Sequence, residues 1–594
     1  MASYSYSPIS VERAEIRLLV IEPGAWDANL ECRLQHAVLT EMPPYEALSY
    51  TWGDANDVRP IALNGASWQV TANLESALRS LRQQDKPRTM WIDALCINQK
   101  DLVEKAQQVP RMRDIYRSAT KVVAWLGPAG GGGDTAMEAI QDMMTKLGTM
   151  DKDWSIIGPN DLCEVGIDVA QINWLSIWSF LNRPYWRRIW VIQELASCTD
   201  RGVVAEDNEK GTIMCGSKSM SKAEFELFCL LLTILPRSAA RFVDDRTGIL
   251  QEPVRSLTLF ALPPALLMFT TYWAGYDLAM SLWMAPHFQA SVPHDMVYAL
   301  LGVVPADQSA LVIPDYSKPI ESVYFEVYKS MILHSNSLDI ILINRICYNG
   351  QGPSWFLDVA PRLTVGPLWA DKDKGNFKAA ADVPMEVSFK DESRHLVSKG
   401  IRIGVLDTVV GPNRIAQLPT AANFRRFVEE IKAFAQGLSL NDDHEDLWRT
   451  LVMDHDTSDL LSPITPAPQH FGEIFDEAID RKEVPADYRR YLSPDTRKED
   501  DLQLSKFIYN MVDSTQNRCF FRTSCGKMGL GPYDSKPGDV VAALFGAKRF
   551  FMLRPIPTGY EVVGDAYIQG GMSGEFMSEY LNGDVSAVDE FVLW

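Results

Sequence analysis

Positive charge is scarce in this sequence. Its 57 Lys and Arg residues are outnumbered by 77 Asp and Glu residues, so the formal net charge is −20 at pH 7. Proteins that bind nucleic acids or anionic membrane surfaces need clusters of Lys and Arg. The charge balance therefore argues against both classes, and we expect neither a nucleic acid nor a membrane as a partner.

Cysteine is also sparse, and its spacing fits no framework. The nine cysteines are an odd number, and no two of them form a CxxC pair. This pattern does not fit a four-ligand zinc site and favours reduced thiols, as in cytosolic proteins. The first ten residues, MASYSYSPIS, lack the basic and apolar segments of a signal peptide. We therefore expect a cytoplasmic protein without a bound metal.

Two common catalytic motifs are missing. The glycine run Gly130–Gly133 is not followed by the GK[ST] of a phosphate-binding loop, and no GxSxG serine motif occurs.

One uncharged segment, Ser256–Tyr276, is long enough to span a bilayer. It contains the pair Pro263-Pro264 and several hydroxyl residues, which favour a buried helical segment over a membrane span.

The first part of the chain alternates between strand-like and helix-like segments. Short apolar runs predict strands, and apolar spacing of three and four residues predicts helices. Pro110 must kink or break the second helix. The order of these segments predicts an α/β fold with a parallel, doubly wound sheet. The predicted elements are, in turn, strand Ala47–Tyr50, helix Asn73–Arg82, strand Thr89–Ile97, helix Asp101–Ser118 and strand Lys121–Leu126.

The remaining sequence changes character twice, and a chain of 594 residues is long enough for several domains. Its middle is mostly helical by pattern, whereas the last ninety or so residues contain short strand-like runs separated by Gly and Pro. Such runs suggest a small antiparallel barrel or sandwich. We therefore predict an α/β domain over 1–220, a mainly helical regulatory region over 221–505 and a β domain over 506–594.

An acidic residue stands in the most apolar helical stretch of the chain. Asn182–Ser197 reads NRPYWRRIWVIQELAS, and Glu194 lies among residues that are apolar around most of the helix. A buried carboxylate is costly unless it is paired, protonated or used in function. By helical spacing Trp190 and Arg187 share the face of Glu194, with Arg188 beside them. This predicts a site centred on Glu194.

Two other segments carry side chains that suit a ligand site at the ends of parallel strands. The first, Ser49–Asp54, contributes Ser49, Tyr50, Trp52 and Gly53 as candidates, and the second, Asp93–Gln99, contributes Asp93 and Asn98. The alternative is structural, because Tyr and Trp pack, Asp caps helices and Asn forms turns.

Three blocks of the sequence resemble the fungal heterokaryon-incompatibility (HET) domain. They are YEALSYTWGD at Tyr45–Asp54, PRTMWIDALCINQKDLVEKAQQVPRMRDIYRSATKVVAWLG at Pro87–Gly127 and NRPYWRRIWVIQELA at Asn182–Ala196. A weaker resemblance continues downstream through four further segments, so that nearly the full length is similar to HET-domain proteins. These segments are His294–Pro305, Ile313–Tyr324, Gly352–Asp358 and Gly564–Glu575.

The HET domain in turn resembles the TIR domain, and Trp190-x-x-x-Glu194-Leu195 is similar to the TIR helix whose glutamate is catalytic in NAD-cleaving members. This resemblance implies an NAD⁺ glycohydrolase in regulated cell death during non-self recognition, with Glu194 as the catalytic residue. NAD⁺ or a related nucleotide would be the substrate, and no cofactor is expected. Trp52 or Trp190 would stack on nicotinamide, and Arg187 or Arg188 would bind the pyrophosphate.

The resemblance also implies a homo-oligomer that responds to a protein trigger. Because TIR-like domains serve catalysis in some families and assembly in others, a non-enzymatic, self-associating signalling adaptor is the alternative. Ser49, Asp93 and Asn98 would position the ribose or the loops in the enzyme.

Overall fold

The structure is a computed structural model, and it divides into two compact units, residues 1–320 and residues 321–594. The described residues are 4–10, 12–41, 43–150, 159–168, 171–198, 210–238, 277–285, 288–343, 346–347, 352–358, 377–390, 392–411, 426, 429–434, 442–456, 464–480, 507, 510–511, 514–515, 518–583 and 588–594.

The first unit contains a nine-stranded mixed sheet in the order β5-β4-β2-β1-β6-β3-β7-β8-β9. Its strands are β1 (Glu15–Ile21), β2 (Glu31–Val38), β3 (Glu46–Tyr50), β4 (Val58–Leu63), β5 (Ala66–Thr71), β6 (Arg88–Trp91), β7 (Lys121–Trp125), β8 (Gly211–Cys215) and β9 (Lys218–Ser221).

The four central strands, β6, β3, β7 and β8, are parallel to one another. In chain order they stand 2-1-3-4, as in doubly wound sheets, in which ligands bind at the carboxyl ends where the strand order reverses. Here that point is the end of β3, at Ser49 and Tyr50. The predicted parallel sheet is thus correct for the centre only, because β1 pairs antiparallel with β2 and β6, and β4 and β8 pair antiparallel with β5 and β9.

Twelve helices of this unit are bounded among its described residues, and those before β9 connect the strands of the sheet. They are α1 (Ala72–Leu81), α2 (Asp93–Cys96), α3 (Leu102–Gln108), α4 (Met112–Ser118), α5 (Gly133–Leu147), α6 (Pro159–Glu164), α7 (Trp174–Leu181), α8 (Trp190–Ala196), α9 (Lys222–Ser238), α10 (Leu278–Met284), α11 (Asp295–Tyr298) and α12 (Ala306–Ser309).

Helix α1 forms where its apolar spacing predicts it. The side chain of Thr71 accepts a hydrogen bond from the backbone of Leu74 and caps the first turn. Leu74, Leu78 and Leu81, at helical spacing, are buried against the sheet. The predicted break at Pro110 is confirmed, because a 3₁₀ turn separates α3 from α4 there.

The predicted strand Thr89–Ile97 is wrong in its second half. Strand β6 ends at Trp91, and the chain turns into the short helix α2. Asp93 is the first residue of this helix, and its Oδ1 accepts a hydrogen bond from the backbone of Ala94 at 2.7 Å. Asp side chains compete in this way for backbone donors that a strand would need.

Helices and strands both occur in the second unit. The helices are α13 (Ile320–Ser335), α14 (Asp339–Ile343), α15 (Asp442–Leu451), α16 (His470–Asp480) and α17 (Ser578–Leu581). The strands are β10 (Ile346–Cys347), β11 (Leu357–Asp358), β12 (Val387–Lys390), β13 (His395–Val410), β14 (Arg518–Thr523), β15 (Met528–Pro532), β16 (Val540–Leu544), β17 (Phe550–Ile556), β18 (Gly559–Ile568) and β19 (Val588–Leu593).

Six of these strands close into an antiparallel barrel, in the order β13-β14-β15-β18-β17-β16 and back to β13. The predicted C-terminal strands are confirmed, but β13 lies in the region predicted to be mostly helical. This long strand changes partner along its length, from β16 to β14, with bulges near Gly404 and Leu406. A Cβ at Gly404 would stand 2.9 Å from the Cβ of Thr523, so glycine permits the close approach.

Within the described ranges, no helix is both long and apolar enough to cross a bilayer. The apolar segment Ser256–Tyr276 lies outside those ranges. The division into three regions at 220 and 505 stays a prediction.

Candidate active site

Glu194 lies in helix α8 and is 1% exposed. Val191, Ile192 and Leu195 of the same helix are buried too, as the apolar sequence predicts. The carboxylate faces the end of strand β3, where it meets a residue 145 positions earlier in the chain. The structure therefore brings the two sequence-predicted segments together.

The hydrogen bond and the ion pair of the Glu194 carboxylate both involve the same oxygen, Oε2. Ser49 Oγ donates a hydrogen bond to Oε2, and Arg188 Nη1 lies 3.8 Å from the same atom. The Tyr185 hydroxyl lies 2.7 Å from Ser49 Oγ and donates to it, because the Ser49 hydrogen is already used. Among the described residues no donor is hydrogen-bonded to Oε1. The carboxylate is thus held from one side and keeps one oxygen free.

The burial of Glu194 changes its acidity. Burial raises the pKa of Glu194 to about 7, and the charge of Asp93 adds to the rise, while Arg188 and the Ser49 hydrogen bond oppose it. A carboxyl group with a pKa near neutrality is typical of catalytic sites, since it can hold or release a proton at physiological pH.

The end of strand β3 supplies two further groups. Arg188 donates a hydrogen bond to the backbone oxygen of Tyr50, so its guanidinium bridges the strand end and Glu194. The phenol of Tyr50 is 2% exposed and has no hydrogen-bond partner in the described part of the chain. An unpartnered buried hydroxyl costs free energy, which a ligand acceptor would recover.

Asp93 and Trp52 form the outer part of this cluster. Trp52 Nε1 donates to Asp93 Oδ2 at 2.8 Å, and the Trp52 residue is 40% exposed. Burial raises the pKa of Asp93, against the opposing effects of Arg188 and the Trp52 hydrogen bond. We name the set Ser49, Tyr50, Trp52, Asp93, Arg188 and Glu194 the strand-end cluster.

Gly53 and Asn98 are placed as turn residues instead. Gly53 has a φ of +81°, which favours glycine in the turn after β3. The backbone of Asn98 donates to Glu104 Oε1 at 2.7 Å, and its side chain accepts from the backbone of Lys100. Among the described residues, the side chain of Asn98 makes no hydrogen bond to the strand-end cluster.

The predicted alignment of Arg187 with Glu194 on one helix is wrong. Pro184 begins a 3₁₀ turn that ends at Arg187, and α8 begins only at Trp190, so helical spacing does not extend back to Arg187. The Arg187 side chain is exposed, and Arg188 approaches Glu194 instead.

Trp190 is hydrogen-bonded to a residue that the site prediction did not include. Its Nε1 donates to Asp295 Oδ2 at 3.1 Å, and the Tyr316 hydroxyl donates to Oδ1 of the same carboxylate at 2.8 Å. Asp295 and Tyr316 fall in two of the downstream segments that resemble HET proteins, which was the available signal. Tyr185 had no such signal beyond its place in the third block.

The geometry coincides with a recognised family region. Residues 45–194 match the family model described as Heterokaryon incompatibility protein (HET). This part of the chain is a HET domain. The matched region begins just before β3 and ends at Glu194, so it contains all the members of the strand-end cluster.

Two further comparisons concern the rest of this HET-domain protein. Residues 486–584 match the model of the Het-6 beta-barrel domain, which covers β14 to β18, whereas β13 lies outside the match. A curated Neurospora crassa protein, Heterokaryon incompatibility protein 6, OR allele, is 24% identical, and the alignment covers 96% of each chain. No solved structure matches the chain significantly.

Within the described ranges, no three His, Cys, Asp or Glu side chains are grouped closely enough to hold a metal ion.

Proposed function

We propose that this HET-domain protein takes part in heterokaryon incompatibility, and that its HET domain cleaves the nicotinamide–ribose bond of NAD⁺. The role in incompatibility is supported by the HET match and by the full-length similarity to the Neurospora protein. The cleavage is supported chiefly by one observation: Glu194 is buried and anchored through Oε2, with Oε1 left free.

The chemistry suits a single free carboxylate oxygen. When the bond between C1′ of ribose and the nicotinamide nitrogen breaks, its electron pair leaves with nicotinamide, which departs as a neutral base. Positive charge then develops on the ribose, as in glycoside hydrolysis. The ionised Glu194 would stabilise that charge at close range in a site shielded from water. Water then bonds to C1′, and its proton passes to the carboxylate.

The other members of the strand-end cluster have matching roles in the proposal. Ser49 and Tyr185 hold the carboxylate in one orientation, Tyr50 offers an unused donor, and the exposed ring of Trp52 is a surface on which nicotinamide can stack. The 2-1-3-4 strand order and the Trp190–Glu194 spacing support a TIR-like domain. As part of the same proposal, the protein is a cytoplasmic homo-oligomer activated by a protein trigger and leads to cell death.

The test is NAD⁺ consumption and nicotinamide release by the purified full-length chain. Glu194→Gln is expected to lower turnover about 10²- to 10³-fold, the usual effect of removing one electrostatic stabiliser. Turnover by the wild type should rise with pH through about 7, because the ionised form is the active one. Glu138→Gln, at an exposed glutamate, is the matched control. Equal turnover by wild type and Glu194→Gln would contradict the assignment.

A non-enzymatic adaptor is the second candidate, and the contact between Arg188 and Glu194 favours it. An acid neutralised inside the protein serves the fold rather than a substrate. The adaptor predicts no NAD⁺ turnover between pH 5 and 9, together with self-association measurable by light scattering in both wild type and Glu194→Gln.

A further inference from the structure

A second group of half-buried side chains lies next to the strand-end cluster. Lys105 on α3, Trp190 on α8, Asp295 on α11 and Tyr316 belong to it, and we name it the Lys105 cluster. Asp295 joins the two aromatic side chains by accepting hydrogen bonds from both. The ammonium group of Lys105 lies 5.8 Å from the centroid of the Tyr316 ring, within the range of a cation–π contact.

Lys105 connects this group with the strand-end cluster. Burial raises the pKa of Asp295, with the Tyr316 and Trp190 hydrogen bonds and the charge of Lys105 opposing it. The same ammonium acts on the carboxyl group of Asp93 in the same sense. The charge of Lys105 thus acts on one acid in each cluster. Trp190, one helical turn before Glu194, provides a second connection.

Three arginines of this domain, Arg17, Arg183 and Arg188, are already engaged by protein groups. Arg183 donates to the backbone oxygens of Leu126, Pro128 and Gly130, and Arg17 makes two hydrogen bonds to Glu104. Arg188 is held by Glu194 and the Tyr50 carbonyl. Lys105, by contrast, has no hydrogen bond or ion pair with any described residue, so its charge remains available to a ligand.

We propose that the Lys105 cluster binds the phosphate-bearing, adenosine half of the dinucleotide whose nicotinamide half reacts at Glu194. The inference rests on the proposed function and adds the place where the phosphate and adenosine of that dinucleotide bind. Lysine binds phosphate as a point charge. The rings of Trp190 and Tyr316 supply apolar surface on which a base can stack.

Asp295 is a positioning residue in this arrangement. It takes the polar edges of both Trp190 and Tyr316 and thereby fixes how the two rings are oriented. Its own charge would repel phosphate, so the nearby Lys105 is needed for an anion to bind. Removing Lys105 should therefore weaken phosphate-bearing ligands selectively.

The experiment compares ligands with and without phosphate on full-length wild type and Lys105→Met. For NAD⁺ we expect KM to rise about tenfold or more in the variant with kcat nearly unchanged, because a charged contact away from the reacting bond is lost. For nicotinamide riboside, which carries no phosphate, KM should stay the same. Lys100→Met removes the same charge at an exposed lysine and should leave both constants unchanged.

Calorimetric titration with ADP-ribose gives a readout that does not need cleavage. The wild type should bind it, and Lys105→Met should bind about tenfold more weakly or worse, with an unchanged unfolding midpoint. Equal affinity in both would overturn the inference while NAD⁺ cleavage by the wild type stands. Weakening by Arg187→Met alone would place the phosphate at Arg187 and also overturn it. A wild type that neither cleaves NAD⁺ nor binds ADP-ribose rejects the proposed function and the inference together.

Discussion

Buried acids are treated differently in the C-terminal barrel and at the strand ends of the HET domain. In the barrel, Asp539 receives two hydrogen bonds from Arg554 at 2.9 and 3.0 Å. Asp565 receives one from Arg518 at 2.9 Å. Glu194 is buried more deeply than either, yet its nearest cation stands 3.8 Å away.

The two arrangements differ in how much of the cost of burying a charge they recover. A buried ion pair at hydrogen-bond distance recovers much of the cost of removing two charges from water, so it can belong to the fold. A buried carboxylate with a loosely placed cation recovers less, and its pKa rises as a result. The contact between Glu194 and Arg188 is therefore less stabilising than the barrel ion pairs. Buried charges with little stabilisation are typical of functional sites.

The largest effect should come from breaking a barrel pair. Arg518→Met removes the guanidinium that donates to the buried Asp565, and the free energy of unfolding should fall by about 3–5 kcal/mol. Chemical denaturation followed by circular dichroism measures it. Arg402→Met, on β13, is the control, because both side chains of its pair with Asp589 are 44% exposed and it should cost less than about 1 kcal/mol. Equal losses of unfolding free energy in the two variants would show that the buried ion pair is no more stabilising than the exposed one.

The next effect concerns the pH dependence contributed by Glu194. Its pKa is about 7 in the folded protein against 4.5 for an ordinary glutamate, so between these values the folded state binds the extra proton. Stability from this group is therefore full below about pH 4.5 and is lost as pH rises to 7, by roughly 3 kcal/mol. Glu194→Gln should lack this loss when unfolding is measured from pH 4.5 to 8.

Glu138→Gln removes a carboxylate from the surface and serves as the reference for that series. If the free energy of unfolding changed with pH in the same way for the wild type and Glu194→Gln, burial would not raise the pKa of Glu194. The proposed difference between Glu194 and the barrel acids would then be wrong.

A smaller effect is expected from the hydroxyl that anchors Glu194. Ser49→Ala removes the donor to Glu194 and the acceptor for Tyr185, so at pH 8 it should cost about 1–3 kcal/mol of unfolding free energy. Ser281 is fully buried as well, but its hydroxyl has no hydrogen-bond partner among the described residues. Ser281→Ala should thus be neutral or stabilising, and a matching loss at both serines would argue against a special role for Ser49.

Local pattern was sufficient for several elements. Helix α1 and strands β3 and β7 form where their apolar residues predict them. The spacing of apolar residues along the sequence shows whether one face of an element or the whole element is buried. The same pattern failed over Thr89–Ile97, because an apolar run of that length fits a strand and a helical turn alike. The helix begins at Asp93, whose side chain accepts a backbone hydrogen bond.

The candidate site was predictable in its members more than in its contacts. Glu194 was selected as an acid among apolar residues, and Ser49 and Asp93 were selected because their segments lie at predicted strand ends. Arg187 was misplaced, since the 3₁₀ turn at Pro184 interrupts the helical spacing on which its alignment depended. Asp295 reaches Trp190 across 105 positions, a separation at which periodicity carries no information.

By itself the sequence determined that Glu194 would be buried, that Ala47–Tyr50 and Lys121–Leu126 would form strands, and that the chain resembles HET proteins. Only the tertiary structure decided which cation approaches that acid, which of its oxygens is anchored, and which late strand closes the barrel. The reason is physical. Hydrophobic periodicity reports which face of a local element avoids water, whereas the partner on that face is chosen by how distant segments pack.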